Sequence, residues 1–341
     1  MKALVYQGPW TMTLEEVPVP EVGPGQVRID VRKVGICGSD VHGFMGKTGR
    51  RIPPMIMGHE FGGVINAVGE GVTRFGVGDE VIASPIQFCG QCANCRRGLT
   101  NICLNRHVLG VDIPGAYAEQ IAVDESMVYA KPAGLAWELA ALAEPLAVAL
   151  HAVNLTPFDL MDTVAIVGAG TIGLLTLMAA KLKGAGRVII TDKRVHRLNM
   201  ARRLGADMAI YVDEKDPIAA VKAVTGGLGA DAVIEAVGFA ATVQQALALT
   251  RTGGAVTWIG NSAQLIELNM QEVVTRELTV RGSYAFDTAE FDHAIQAIAS
   301  GRVDVAPLIE RVASLAEGPQ IIHDLAAGDA DWIKVVLEIT F

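Results

Sequence analysis

Between Cys37 and His42, six consecutive positions carry a soft metal ligand, a hydroxyl, a carboxylate and an imidazole, with Gly35 before and Gly38 after the cysteine. A Cys37 thiolate takes Zn²⁺ readily. The Ser39 hydroxyl can exchange a proton with a substrate oxygen, and the His42 imidazole, titrating near neutrality, can pass that proton to water. Alone, the stretch reads equally well as a buried cysteine beside a polar loop, because short motifs recur by chance. The other cysteines break the tie. Cys89, Cys92, Cys95 and Cys103 form CxxCxxCx7C, a spacing that wraps one tetrahedron, and four thiolates close it to water. In a reducing compartment this pattern holds a structural Zn²⁺ and does not form disulfides. The bacterial [4Fe-4S] signature has a shorter last gap and a following proline. The chain has five cysteines, so Cys37 stands alone outside that set.

A second centre lies further along. Val164 to Val167 is a continuous apolar run, and Gly168, Ala169, Gly170, Thr171, Ile172 and Gly173 then spell GxGxxG. An amphipathic helix from Leu174 to Lys183 follows, and the strand 187–192 ends in Asp192, nineteen residues beyond Gly173. Glycines there let backbone approach a pyrophosphate seated on the helix N-terminus. Asp192 would accept from the adenosine ribose hydroxyls and repel a 2′-phosphate, which favours NAD over NADP, while Lys193 and Arg194 pull the other way.

The surrounding elements follow from periodicity. Val27, Ile29 and Val31 alternate with Arg28, Asp30 and Arg32, the period of a half-buried strand. With strands at 61–68 and 80–83, this predicts a mostly β first domain carrying its functional residues on loops. Residues 137–154 read as a helix broken by Pro145. That run buries Glu144, whose carboxylate then needs a partner; its position suits a salt bridge or cap as well as a metal. From Thr163 strands and helices alternate over about 120 residues, the pattern of a doubly wound parallel sheet. Ligands bind beyond the carboxyl ends of such strands, so Val237 and Gly260 are expected to line the nicotinamide end. A helix at 290–300 and a strand at 332–339 resume the earlier character. The expected division is a catalytic domain at 1–150 with a metal lobe at 88–104, a nucleotide domain at 151–285, and a return to the catalytic domain at 286–341. The cleft between the domains is the expected active site.

Composition narrows the partners. Over 341 residues, 51% are hydrophobic and 19% charged, enough for two cores. A net charge of −9, with no basic stripe, argues against nucleic acid and anionic membranes as partners. No long apolar segment of the signal-peptide kind stands at the N-terminus, which points to the cytoplasm. The apolar run from Val164 to Ala180 is a strand entering a helix and not a membrane span.

Taken jointly, CGSDVH, Gly58-His59-Glu60, the four-cysteine lobe, Glu144-Pro145-Leu146, GAGTIG with Asp192, and residues 277–284 resemble the zinc-dependent medium-chain alcohol and polyol dehydrogenases over essentially the whole chain. The resemblance implies a Rossmann sheet inserted in a mostly β, GroES-like catalytic domain, two zinc ions per subunit, NAD, and a homotetramer or dimer. It makes Cys37 and His59 ligands of a catalytic zinc and draws a third from Glu60 or Glu144. It gives Ser39 the substrate oxygen and His42 the outward proton relay, and Asp40 is then expected to orient His59 or the loop, as metal sites usually require. The implied reaction oxidises a secondary alcohol or polyol to a ketone, with hydride passing to nicotinamide. Glu144 stands where the best-known alcohol dehydrogenases have a cysteine, which matches the sorbitol, sugar-alcohol phosphate and threonine branch. Residues 110–115 and the surroundings of Asp192 look like the threonine 3-dehydrogenases, whereas 146–151 looks like the polyol enzymes. A non-catalytic NAD-binding sensor would have shed the catalytic residues, and here both sets are present. His107 and His151 have no ligand partners spaced around them and read as ordinary histidines. Arg50 and Arg51 lie between Cys37 and His59, either solvated or meeting an anionic substrate.

Overall fold

The computed structural model describes residues 1–340; Phe341 lies outside the described residues. Contacts divide the chain into one unit of Met1–Glu144 with Asp287–Phe341 and a second of Pro145–Phe286.

The first unit is organised on the strand Gln26–Ile36, whose side chains alternate between core and surface and then stay buried from Val34 to Ile36. It is the shared partner of a seven-stranded sheet. Glu60–Val68 pairs along one edge, Gln120–Asp124 also pairs with it, and Lys334–Glu338 returns antiparallel from the far end of the chain. The core beneath comprises Val27, Ile29, Val31, Phe61, Ile65, Tyr117, Val335 and Leu337 among others. Two registers converge at one end of this strand: Gly35 pairs with Glu60 and Ile36 with Val335. Three segments distant in sequence therefore end together at Cys37, His59–Glu60 and Lys334.

The expected loop after Ile36 is instead a short helix, Gly38–Phe44, with Cys37 at its N-cap. Its two glycines hide it from propensity, and Asp40 supplies what propensity lacks, accepting from the Cys37 N–H at 3.4 Å. The unit also carries helices Thr288–Ala299 and Gly318–Ala327. The expected break in the helix falls at Ala141–Leu142, just ahead of Pro145. One helix ends at Ala140 and another starts at Ala143, so the proline sits in a first turn, where its missing N–H costs nothing. Among the described residues, Trp137–Leu155 is the one span long and apolar enough to cross a bilayer, yet 61% of its apolar window is buried inside the protein.

The second unit holds six parallel strands, Thr163–Val167, Arg187–Asp192, Met208–Tyr211, Ala230–Glu235, Thr250–Trp258 and Thr279–Gly282. Their spatial order is third, second, first, fourth, fifth, sixth. That is a doubly wound Rossmann sheet. Val167 pairs with both Thr191 and Glu235, so Gly168, Asp192 and Ala236 emerge at one carboxyl edge. A Cβ on Gly173 would lie 1.8 Å from the Gly168 carbonyl oxygen, so only glycine lets the following helix pack this close to the turn.

Candidate active site and metal centres

The sheet registers bring Cys37, His59 and Glu60 together, with one donor atom from each lying within 4.8 Å of the others. Glu144 does not join that group, although it is buried nearby. Cys37 is half-buried, His59 nearly buried and Glu60 wholly so. The Glu60 carboxylate meets Lys334 Nζ at 2.7 and 2.9 Å, and the same ammonium donates to the Ile36 carbonyl at 3.1 Å. Gly35 makes room for this pair, since a Cβ there would stand 2.0 Å from Glu60 Oε2.

Asp40 is the hub on the other side. Its Oδ1 accepts from Arg51 at 2.7 Å and its Oδ2 from the Tyr117 hydroxyl at 2.7 Å. His59 Nδ1 lies 3.4 Å from Oδ1. That contact is electrostatic and not an aligned hydrogen bond, which leaves the buried nitrogen without a well-directed partner. Burial opposes the charge on Asp40, but His59, Arg51 and Tyr117 outweigh it and hold the carboxyl well below the usual range. Burial likewise opposes a charged His59, yet Asp40 and Cys37 push its pKa well up. Burial, then the carboxylates of Glu60 and Asp40, raise Glu144 to about 7 against the pull of His59 and Lys334. The environment thus calls for positive charge among Cys37, His59 and Glu60. A soft thiolate, an imidazole and a carboxylate at this separation suit Zn²⁺.

Ser39 is exposed and accepts from Arg51 at 3.3 Å. His42 is half-buried on the same helix, and burial, then Lys47 and Arg51, lower its pKa. The two loop arginines differ: Arg50 is exposed at the surface, as the solvated reading expects, and Arg51 is not. Arg50 forks onto Asp112 at 3.1 Å. Arg51 is buried and committed to Asp40, Ser39 and the Gly110 carbonyl at 3.0 Å.

In the lobe, the sulfur of Cys92 lies 3.5 Å from that of Cys95 and 3.9 Å from that of Cys103, which lies 3.5 Å from that of Cys89. These separations exceed any disulfide. They bracket the edge of about 3.8 Å that a tetrahedron with Zn–S bonds of about 2.3 Å requires. An iron–sulfur cubane would have to fit inside the four sulfurs, and they stand too close for it. Backbone donors at Cys95 and Leu104 lower Cys92 to about 6, favouring the thiolate, while burial and the facing sulfurs raise Cys95 to about 12.

In the second unit, Gly170 caps the helix Thr171–Lys183, so Thr171, Ile172 and Gly173 form its first turn. Asp192 accepts from Ala169 N at 2.6 Å and Arg194 N at 2.8 Å, closing the glycine turn onto the next strand. Val237 and Gly260 lie at the same carboxyl edge. The organising residue there escaped the sequence reading: Glu235 is fully buried, and its Oε1 accepts from Val237 N and Gly238 N at 2.9 and 2.7 Å. Its signal was an acid closing the apolar strand 231–235. Lys334, a lone cation in the apolar run 332–339, and Tyr117 were missed in the same way. His107 lies exposed in a two-residue strand, and His151 is buried in the helix Ala143–Leu155.

A thiol, an imidazole and a carboxylate that could share a metal in one unit, and a doubly wound dinucleotide-type sheet in the other, are the features of a metal- and nicotinamide-dependent oxidoreductase. Comparison with known proteins agrees. Residues 23–133 match the alcohol dehydrogenase GroES-like domain and residues 171–300 the zinc-binding dehydrogenase domain. A sorbitol dehydrogenase of Bacillus subtilis (strain 168) is 36% identical, with 99% of this chain and 97% of that protein aligned. An L-threonine 3-dehydrogenase of Rhizobium johnstonii is also 36% identical, over 91% and 90% of the two chains. Among solved structures, a short chain alcohol dehydrogenase from E. coli CFT073 complexed with NADH superposes with a TM-score of 0.91 at 29% identity, covering 99% of each chain. The chain belongs to the zinc-dependent medium-chain dehydrogenase family.

Proposed function

We propose that this chain oxidises a neutral polyol or related secondary alcohol to the ketone with NAD⁺, at a zinc held by Cys37, His59 and Glu60. When bound, the zinc supplies a Lewis acid for the alcohol oxygen and the nicotinamide supplies the hydride acceptor. Glu60 is favoured over Glu144 as the third ligand because its carboxylate shares the cluster with Cys37 and His59. Glu144 is the second, nearby carboxyl. Ser39 holds the substrate hydroxyl, and His42, whose lowered pKa suits a neutral relay, carries the proton to solvent. Cys89, Cys92, Cys95 and Cys103 hold a second, structural zinc. Residues 151–285 bind the dinucleotide, with Gly168, Gly170, Thr171, Ile172 and Gly173 on its pyrophosphate, Asp192 on its ribose, and Val237 and Gly260 beside the nicotinamide. NAD is preferred over NADP because the Asp192 carboxylate repels a 2′-phosphate, although solved neighbours carry either NADH or NADP. A cytoplasmic homo-oligomer, tetramer or dimer, completes the reading.

The observation that carries the substrate class is the engagement of Arg51, the buried arginine of the loop. Arg51 is buried and paired with Asp40, so it is not offered to a phosphate or carboxylate, whereas Arg50 holds an exposed pair with Asp112. Reduction of NAD⁺ across a panel of polyols, secondary alcohols, sugar-alcohol phosphates and L-threonine tests this, with Cys37→Ser as control. The highest kcat/KM is expected on a neutral polyol. A phosphate ester or threonine turned over better than every neutral polyol would overturn the substrate class, and full activity in Cys37→Ser would overturn the metal site.

A further inference from the structure

We infer that Arg51 is the positioning residue of this active site, holding the metal donors and the proton-handling hydroxyl in one rigid frame. The inference rests on the reading of Cys37, His59 and Glu60 as a zinc site. Arg51 lies outside the metal donor set, and its guanidinium ties its own loop to two other pieces of chain, the helix Gly38–Phe44 and the segment at Gly110. Nε donates to the Gly110 carbonyl, and Nη2 donates both to Asp40 Oδ1 and to Ser39 Oγ. Asp40 in turn touches both donor segments, facing His59 Nδ1 at 3.4 Å and accepting from the Cys37 N–H. Displacing Arg51 would therefore disturb the imidazole, the thiolate segment and the Ser39 hydroxyl together.

Two physical reasons make arginine fit this place. Its planar fork donates in several directions at once, which a lysine ammonium on a flexible stem does not reproduce. Its charge is also required. Asp40 is wholly buried, and without Arg51 it would lose its one permanent cation and keep His59, the Tyr117 hydroxyl and the Cys37 N–H alone against its charge, a costly change away from water. The bond to Ser39 occupies a lone pair of Oγ, so the Ser39 proton points elsewhere, toward whatever oxygen approaches. The helix has been shaped around the guanidinium. A Cβ on Gly43 would lie 2.4 Å from Arg51 Cδ and 2.9 Å from Nε, so Gly43 leaves the channel through which Arg51 reaches Asp40.

The test uses three variants of the full chain, Arg51→Gln, Arg51→Lys and Gly43→Ala. The last keeps every polar group and improves helix propensity while crowding the guanidinium. Zinc release to a chelator is followed by metal analysis, alongside kcat and KM for NAD⁺ and the best alcohol. Groups that orient metal ligands typically change metal affinity or activity by about 10–100-fold. Arg51→Gln is expected to release the Cys37-site zinc that much faster and to lose kcat, with KM for NAD⁺ unchanged. Arg51→Lys is expected to recover part of both losses, and Gly43→Ala to shift them in the same direction as Arg51→Gln. Zinc in the four-cysteine lobe stays in place throughout as an internal control. Should Arg51→Gln not fold, the other two variants decide. Release rates and kcat within twofold of the parent in both Arg51→Lys and Gly43→Ala would overturn the inference. A parent protein that binds zinc only in the four-cysteine lobe would instead overturn the underlying metal-site reading.

Discussion

Replacing Lys334 by methionine tests how the first unit tolerates the buried charge of Glu60. Lys334 is 2% exposed and Glu60 fully enclosed, and the ammonium makes three hydrogen bonds within 3.1 Å, two to Glu60 and one to the Ile36 carbonyl. Removing one partner of a buried pair costs about 3–5 kcal/mol, because the remaining charge is stranded. In a unit of about 200 residues, each kcal/mol moves Tm by about 2–4 °C, so zinc-stripped Lys334→Met should melt about 6–20 °C below the zinc-stripped parent. Zinc held by Glu60 supplies the missing positive charge, so the loaded variant should recover much of that deficit. Calorimetry of both proteins, stripped and reloaded, reads the difference. The pH dependence has a definite sign. Burial works against the Lys334 charge, but Glu60 and then Cys37 outweigh it, so the folded pKa is raised. The pair's contribution is then complete below the unfolded lysine value of about 10.4 and fades only as pH rises through the folded one. The lysine itself therefore leaves the deficit level across neutral pH, and a slope there comes from Glu144, raised to about 7 and held down in part by Lys334. A shift below about 2 °C in the zinc-stripped variant, under one kcal/mol on that scale, would refute the reasoning.

Three further outcomes are expected. Asp192→Ala removes a charged acceptor, and hydrogen bonds to charged groups are worth about 1.5–3 kcal/mol. KM for NAD⁺ should rise tenfold or more by that measure, while KM for NADP⁺ falls or holds; an unchanged ratio of the two would refute the ribose assignment. Cys103→Ser opens the tetrahedron of sulfurs, so metal analysis should find about one zinc fewer per chain, and limited proteolysis should cut within 88–104; full metal content would refute it. Arg50→Ala breaks an exposed pair worth at most about 1 kcal/mol and should leave KM for sugar-alcohol phosphates unaltered, whereas a marked rise would reassign Arg50 to substrate binding.

What can be read along the chain here is what lies close along the chain. The four lobe cysteines fall within fifteen positions, and the strand, glycine turn and helix at 163–183 are continuous. Spacing alone therefore specifies the tetrahedron and the dinucleotide turn. Residue types marked Cys37 and left Glu144 open, and it was the resemblance to a known family that made His59 and Glu60 donors as well. Spacing could not choose between the two glutamates, because that depends on which strand pairs with Gln26–Ile36 and in which register. The pairing of Gly35 with Glu60 sets Glu60 beside Cys37 and His59, while Glu144 stays outside the donor cluster. Lys334 meets Glu60 across 274 positions, and Arg51 turns inward because Asp40 is sealed from water and needs a cation. Local geometry carries a motif, but the balance of buried charge is a sum over segments that only the folded sheet brings together. The thiol of CGSDVH was visible in the sequence; the pairings of Arg51 with Asp40 and of Lys334 with Glu60 were not.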